Sequence, residues 1–302
     1  RSTLSSSSAA SDVYKRQMVD KANIAADTIK NNYDCCVAYY DEHLLEISIE
    51  QRRLLGEFEP ALQNDEFVMY LQPQVKRDGA AKGAEALVRW VHPSRGILTP
   101  YAFIDILENA GLIYKLDLYI WEKAAQKLAE WKEKGYGSYH ISVNISTKDF
   151  YIIDIYETFT GLINKYGIAA SNLHLEITET TLMTDFEKNM NIIHKLQGVG
   201  FRVEIDDFGS GYSSLNMLKD ISADVLKIDM GFLRKSENEV KGQDILESII
   251  TLAGKIGMDV ITEGVETKKQ LDMLTMMGCH EFQGYYFSKP VPVSEFEEKY
   301  LV

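Results

Sequence analysis

From Phe67 onward, eight short apolar runs alternate with helical patterns, and polar side chains recur in or beside those runs. The runs are Phe67 to Val75, Ala84 to Val91, His140 to Ile145, Leu173 to Thr178, Arg202 to Asp206, Val225 to Asp229, Asp259 to Glu263 and Glu281 to Phe287. Their length and β-branched content predict strands. Between them, Leu118, Trp121, Ala125, Leu128 and Trp131 step by three or four and predict one apolar helical stripe against a sheet. Thr184 and Glu187 fit a capping box ahead of MNIIHKL, with Gly198 and Gly200 ending that helix. Repeated strand and helix units of this size imply parallel strands with right-handed crossovers, and eight of them close most simply into a (β/α)8 barrel. Reactive groups in such barrels come from the carboxyl ends of the strands.

Six motifs carry the polar groups: Glu85 in EALVRW, Asn144 in SVNIS, Glu176 in LHLEITE, Asp206 and Asp207 in EIDDFG, Asp229 in LKID, and Glu263 in ITEGVE. Any one of these carboxylates could equally be a cap or half of a salt bridge. Glu85, Asn144, Glu176, Asp206 and Asp207, five hard oxygen donors on successive strands, point instead to a cation site. None of the six histidines has a metal-ligand spacing such as HxH or HExxH, so magnesium or manganese is favoured over zinc. The adjacent Asp206 and Asp207 repel unless a cation lies between or beside them, which suggests that one or both bridge two metals, a clamp suited to displacement at phosphorus, although the doublet does not itself count the ions. The loop Gly209 to Ser214, GSGYSS, permits a tight turn, a weak phosphate signal by itself. Lys227 has acidic neighbours that keep it protonated, which disfavours a Schiff-base aldol enzyme; its plain alternative is an exposed lysine. Arg89 shares a strand face with Glu85 by the period-two rule, or forms a simple salt bridge.

The chain has 302 residues, room for one large barrel or two medium domains. A formal charge of -13 with no basic run argues against DNA, RNA or an anionic membrane as a partner, so an anionic substrate needs local cations. Three cysteines, two of them adjacent at Cys35 and Cys36, make no disulfide framework and fit a reducing cytoplasm. The longest apolar stretch, Ile245 to Ile256, is too short to span a bilayer; an upstream segment of a longer parent could still anchor it.

Residues 1–17 are Ser/Ala-rich without an apolar face and are expected to be disordered or foreign. Residues 18–53 predict a helix, a short strand near Cys36 to Tyr40 and an amphipathic linker helix. Residues 54–302 hold the barrel.

The ordered motifs YLQPQV, EALVRW followed by HP, FIDILENAGLI, SVNIS, LEITE, DDFGSGYSSL, LKID, ITEGVE and FQGYYFSKP closely resemble the EAL domain, the cyclic di-GMP phosphodiesterase family of bacterial signalling. That resemblance implies a TIM-like barrel with one antiparallel strand. By matching motif it implies that Glu85, Asn144, Glu176 and Asp206 ligate metal, with Asp207 serving a second ion and positioning water. It implies that Lys227 holds the water or phosphate and that Glu263 ligates metal or acts as general base. Arg89 would contact the phosphate, Gln72 and Leu87 would line the nucleotide site, Glu266 and Gln283 would complete its floor, and Glu179 would anchor the loop after DDFG. Thr262 and Leu71 depart mildly from the family pattern without removing a donor.

The resemblance implies two Mg2+ or Mn2+ ions, cyclic di-GMP as substrate, linear pGpG as product, and a homodimer. The alternative is a catalytically silent cyclic di-GMP receptor, disfavoured because the EAL glutamate, the DDFG doublet and the loop are intact. Met18 to about Ile49 is similar to the last helix and strand of a GGDEF diguanylate-cyclase domain, although without a GGDEF motif, and that resemblance implies that the chain is the C-terminal part of a longer GGDEF-EAL protein.

Overall fold

The computed structural model describes residues 5–27, 29, 36–209, 221–231 and 239–301. The chain divides into two compact units, Arg1–Asn64 and Asp65–Val302. The first contains helices α1 (Ser5–Asp27) and α2 (Glu42–Gln63). Asp41 caps α2, its side chain accepting the Leu44 amide at 2.8 Å. From Ser5 the Ser/Ala-rich leader is helical. The strand expected near Cys36 to Tyr40 does not form, because no other described strand lies in this unit to pair with it.

The second unit is a closed ring of eight strands: β1 (Phe67–Lys76), β2 (Ala81–His92), β4 (His140–Ile145), β5 (Leu173–Thr178), β6 (Arg202–Asp206), β7 (Val225–Asp229), β8 (Asp259–Glu263) and β9 (Glu281–Phe282). Strands β2 through β9 run parallel round the ring, whereas β1 is antiparallel to both β2 and β9. The reversal follows from the connection. Lys76 and Ala80 close a tight turn over Asp78 and Gly79, with Gly79 at φ 85°, and so short a link joins only antiparallel strands. Two short strands lie outside the ring, β3 (Gly96–Leu98) on β2 and β10 (Val291–Pro292) on β1.

The expected extension of the last strand to Phe287 is replaced by a turn beginning after Phe282. Gly284 has φ 156°, and a Cβ there would lie 2.2 Å from the Val265 carbonyl oxygen. Only glycine allows the chain to pass Val265 so closely. The capping box at Thr184 also fails to form. Thr184 ends helix α7 (Glu179–Thr184) and its hydroxyl donates to the Thr180 carbonyl, while α8 (Phe186–Val199) starts after Asp185 without a side-chain cap. Gly200, at φ 108°, ends α8, and Gly198 lies inside it.

The strands separate two kinds of interior. On β4 to β8, Ile141, Val143, Leu175, Ile177, Val203, Ile205, Leu226 and Ile228 are buried on one face. Helix α4 (Ile113–Glu133) contributes Leu116, Ile120, Trp121, Ala124, Ala125, Leu128 and Trp131 to the core; Leu118, expected in the stripe, is half-buried. Trp131 stacks on Phe296 of helix α11 (Val293–Tyr300), centroids 5.6 Å apart, and its ring N–H donates to Glu297 at 2.9 Å. Each buried side chain of this size contributes about 1.5–3 kcal/mol, so the apolar layer holds the barrel closed. The opposite strand face, inside the ring, is polar: Gln74, Glu85, His140, Ser142, His174, Glu176, Glu204 and Lys227 are all buried there.

Candidate active site at the carboxyl end of the barrel

Lys227 occupies the centre of the mouth. Its side chain is fully buried, and its ammonium lies 2.7 Å from Glu176 Oε2, 2.9 Å from Glu263 Oε1, 3.4 Å from Asp206 Oδ1 and 3.5 Å from Glu85 Oε2. Lys227 comes from β7 and its partners from β5, β8, β6 and β2, so alternation along parallel strands delivers all five to one point. Burial opposes the lysine charge, yet Asp206, Glu176, Glu263 and Glu85 together hold its ammonium well above the usual lysine range. Burial, with the neighbouring Glu85, lifts the Glu176 carboxyl well above the usual range despite Lys227. Burial likewise lifts Glu263, with Asp206 and Glu85 adding to it. Four carboxylates facing one ammonium is a cluster short of positive charge.

The amides extend the network. Asn144 donates to Glu85 Oε1 at 3.0 Å, and the indole of Trp121 fixes the Asn144 backbone at 2.9 Å. Gln283 donates to Glu85 Oε2 at 2.6 Å and to Gln72 Oε1 at 3.3 Å. Gln72, Glu85, Leu87, Glu263, Glu266 and Gln283 line a cavity of about 450 Å³ that also takes in Tyr101, Asp229 and Tyr285. Asp207 is partly exposed, adopts φ 55°, and meets Asp206 through its own amide, which donates to Asp206 Oδ1 at 2.9 Å. Burial of its carboxyl, then Asp206 and Asp229, raise the Asp207 pKa. A non-glycine residue at this φ is uncommon and clusters at functional sites.

Arg89 lies outside that cavity's lining. Its guanidinium is over the Tyr70 ring at 5.5 Å and donates to the Val88 carbonyl at 2.8 Å, and burial lowers its pKa. Glu179 opens α7, but the loop it is expected to anchor falls on residues 210–220, outside the described residues. Of GSGYSS, Gly209 alone is described, at φ 89°. Asp229, to which the resemblance assigns no role, lines the site together with Tyr101 and Tyr285, which the sequence does not single out. Asp229 was legible as a strand-end acid in LKID; the tyrosines carry no signal short of the folded loops.

The donor set fits divalent cations by its own chemistry. Glu176 Oε1 is buried with no hydrogen-bond partner among the described residues, and the surrounding donors are carboxylate and amide oxygens.

The EAL domain family model matches residues 56–290. The chain belongs to the EAL domain family. It is 32% identical over 272 residues to the bifunctional diguanylate cyclase/cyclic di-GMP phosphodiesterase MucR of Pseudomonas aeruginosa, covering 90% of this chain and 39% of that protein. It is 33% identical over 240 residues to the cyclic di-GMP phosphodiesterase PdeR of Escherichia coli, covering 80% of this chain and 36% of that protein. The chain thus spans under half the length of these curated relatives. Among solved structures, the MucR phosphodiesterase in complex with c-di-GMP superposes with a TM-score of 0.76 at 33% identity, covering 81% of this chain and 99% of that one. The barrel of this EAL domain, including its reversed first strand, is therefore a family fold.

Proposed function

We propose that this EAL domain hydrolyses cyclic di-GMP to linear pGpG. The observation that carries the reading is the Lys227 cluster, four acidic side chains around one buried ammonium with an unpartnered Glu176 oxygen among them. Similarity to relatives named as cyclic di-GMP phosphodiesterases supports the choice of substrate.

Glu85, Asn144, Glu176, Asp206, Asp207 and Glu263 would hold two Mg2+ or Mn2+ ions. When bound, such ions neutralise a phosphodiester and make a water acidic enough to attack at neutral pH. The chain's own groups do the rest. Glu263 and Asp207 take and position the proton of the attacking water, and Lys227 keeps a fixed positive charge beside the reacting phosphate. Gln283 and Asn144 orient Glu85 through both of its oxygens. Gln72, Leu87 and Glu266 contact the nucleotide, Arg89 reaches its phosphate, and Glu179 steadies the loop after DDFG. The water oxygen bonds to phosphorus, the bond from phosphorus to the 3′ oxygen breaks, and the proton ends on that leaving oxygen.

The similarity to a bifunctional cyclase and phosphodiesterase supports reading residues 18–53 as the end of an upstream cyclase-like domain and 54–302 as the hydrolase, working in the cytoplasm. No described helix is long and apolar enough to cross a membrane. A homodimer is the proposed assembly, and light scattering that shows monomer alone at micromolar concentration removes it.

Incubation with cyclic di-GMP and Mg2+ or Mn2+, followed by chromatography, tests the activity. Formation of pGpG that disappears in Glu85→Ala supports the hydrolase. Tight binding without turnover overturns it in favour of a receptor.

A further inference from the structure

The polar interior continues below the mouth. Two residues before Asn144, Glu176 and Asp206 on their strands stand Ser142, His174 and Glu204, and two residues before Ser142 stands His140. His140, His174 and Glu204 are buried together at the amino-terminal end of the barrel, with one potential ligand atom from each lying within 4.8 Å of the others. His174 Nδ1 shares a hydrogen bond with Glu204 Oε1 at 2.6 Å, and His140 Nε2 shares one with Gln74 Oε1 at 2.7 Å. The other carboxyl oxygen, Glu204 Oε2, is buried and has no hydrogen-bond partner among the described residues. A buried carboxyl with one oxygen left bare beside two imidazoles invites a cation.

We propose that His140, His174 and Glu204 form a binding site for a borderline transition-metal cation, with zinc as the type ion, separate from the carboxylate cluster at the mouth. Two imidazole nitrogens and one carboxylate oxygen, with water as fourth donor, are a zinc donor set. The mouth offers oxygen donors alone, which suit magnesium and manganese. The two ends of one barrel therefore sort cations by ligand softness.

Access and room support the assignment. A cavity of about 510 Å³ is lined by His140, His174 and Glu204 together with Lys82, Arg202 and Glu281. The two cations there are already compensated, Lys82 by Glu281 and Arg202 by Asp259. Burial, then His174, Arg202 and Lys82, hold the His140 pKa well below its usual value, which keeps the ring in its metal-ligating neutral form.

The imidazoles are stacked, with centroids 3.8 Å apart and planes within 5°. Their in-plane lone pairs lie in two parallel planes and cannot meet at one point, so binding one ion requires a ring to turn. Turning His140 exchanges its hydrogen bond to Gln74, whose amide already reaches Ser142 Oγ at 3.4 Å. Gly83 makes the room, since a Cβ there would lie 2.4 Å from the His140 ring.

The test is titration of the whole chain with Zn2+ in excess Mg2+, by calorimetry, with zinc K-edge absorption on the one-equivalent sample. One zinc per chain with two imidazoles in its shell is the expected result. In Glu204→Gln and His140→Asn, affinity should fall at least about 10–100-fold, the loss typical even of a metal's outer-shell partners. An all-oxygen or single-imidazole shell in the parent chain overturns the proposal, as does unchanged affinity in a folded Glu204→Gln. If both variants fail to fold, the absorption spectrum of the parent decides alone.

Discussion

The Lys227 ammonium and Glu176 Oε2 are 2.7 Å apart with both side chains fully buried; Lys227 offsets the burial of Glu176, while Asp206, Glu176, Glu263 and Glu85 together offset that of Lys227. Removing one member of such a pair costs about 3–5 kcal/mol, because the survivor stays buried and uncompensated. Here the loss falls on four carboxylates at once. Lys227→Met, measured by urea unfolding in EDTA, should lose stability on that scale, and millimolar Mg2+ should restore part of it. A midpoint equal to that of the parent in EDTA would show that the acids are satisfied without the lysine.

Gly284 places Gln283, and Gln283 holds Glu85. With φ 156° and a virtual Cβ 2.2 Å from the Val265 oxygen, Gly284→Ala must push the chain away from Val265. Overpacking of this kind costs about 1–3 kcal/mol. For a domain of this size that is roughly 2–4 °C of melting temperature per kcal/mol. Calorimetry should show the drop, and turnover should fall with it because the 2.6 Å bond from Gln283 to Glu85 is displaced. A variant that melts with the parent and keeps its activity contradicts this coupling.

The strand limits at His140–Ile145, Leu173–Thr178, Arg202–Asp206, Val225–Asp229 and Asp259–Glu263 were legible because each apolar run stops near a polar group at the rim. The same alternation read backward, from Glu176 to His174 and from Asp206 to Glu204, was the signal for the polar interior. Spacing within one strand says nothing of partners on the next, so that signal alone does not bring these residues together. His140 and His174 are 34 positions apart in sequence yet stack in space. The last strand misled because FQGYYF is apolar enough to pass for a strand, while the close approach to Val265 that breaks it is tertiary. Thr184 matched a capping box by residue type alone, and the preceding helix had already taken it.

The capping box that does form belongs to helix α10 (Lys268–Met276). Thr267 Oγ1 accepts the Gln270 amide at 3.3 Å, and Gln270 Oε1 accepts the amides of Thr267 and Glu266 at 2.8 and 2.9 Å. Loss of an N-cap side chain costs about 1 kcal/mol. Thr267→Ala should therefore be destabilised by about that amount in urea unfolding, and Thr267→Ser should keep most of it. Equal stability of the alanine and serine variants would mean that the hydroxyl contributes nothing.

Asp117 and Asp149 form a carboxyl pair beside the mouth, in which burial raises both pKa values, Asp117 well above the usual range. Asp149 Oδ2 accepts the Ser146 amide at 2.8 Å, so Asp149 is the better ionised partner and Asp117 the one that keeps its proton. In the unfolded chain Asp117 titrates near the ordinary value of about 3.9. Its raised folded pKa then contributes stability that is fully present below about pH 3.9 and is lost as pH rises through the folded value, by up to about 1.4 kcal/mol per pH unit. An asparagine keeps the donated hydrogen bond and has no proton to lose. Asp117→Asn should accordingly be more stable than the parent at pH 8 and equal to it near pH 4, as followed by urea unfolding across that range. A constant difference at all pH values would place both carboxyls in their ordinary ionised state and remove the shared proton.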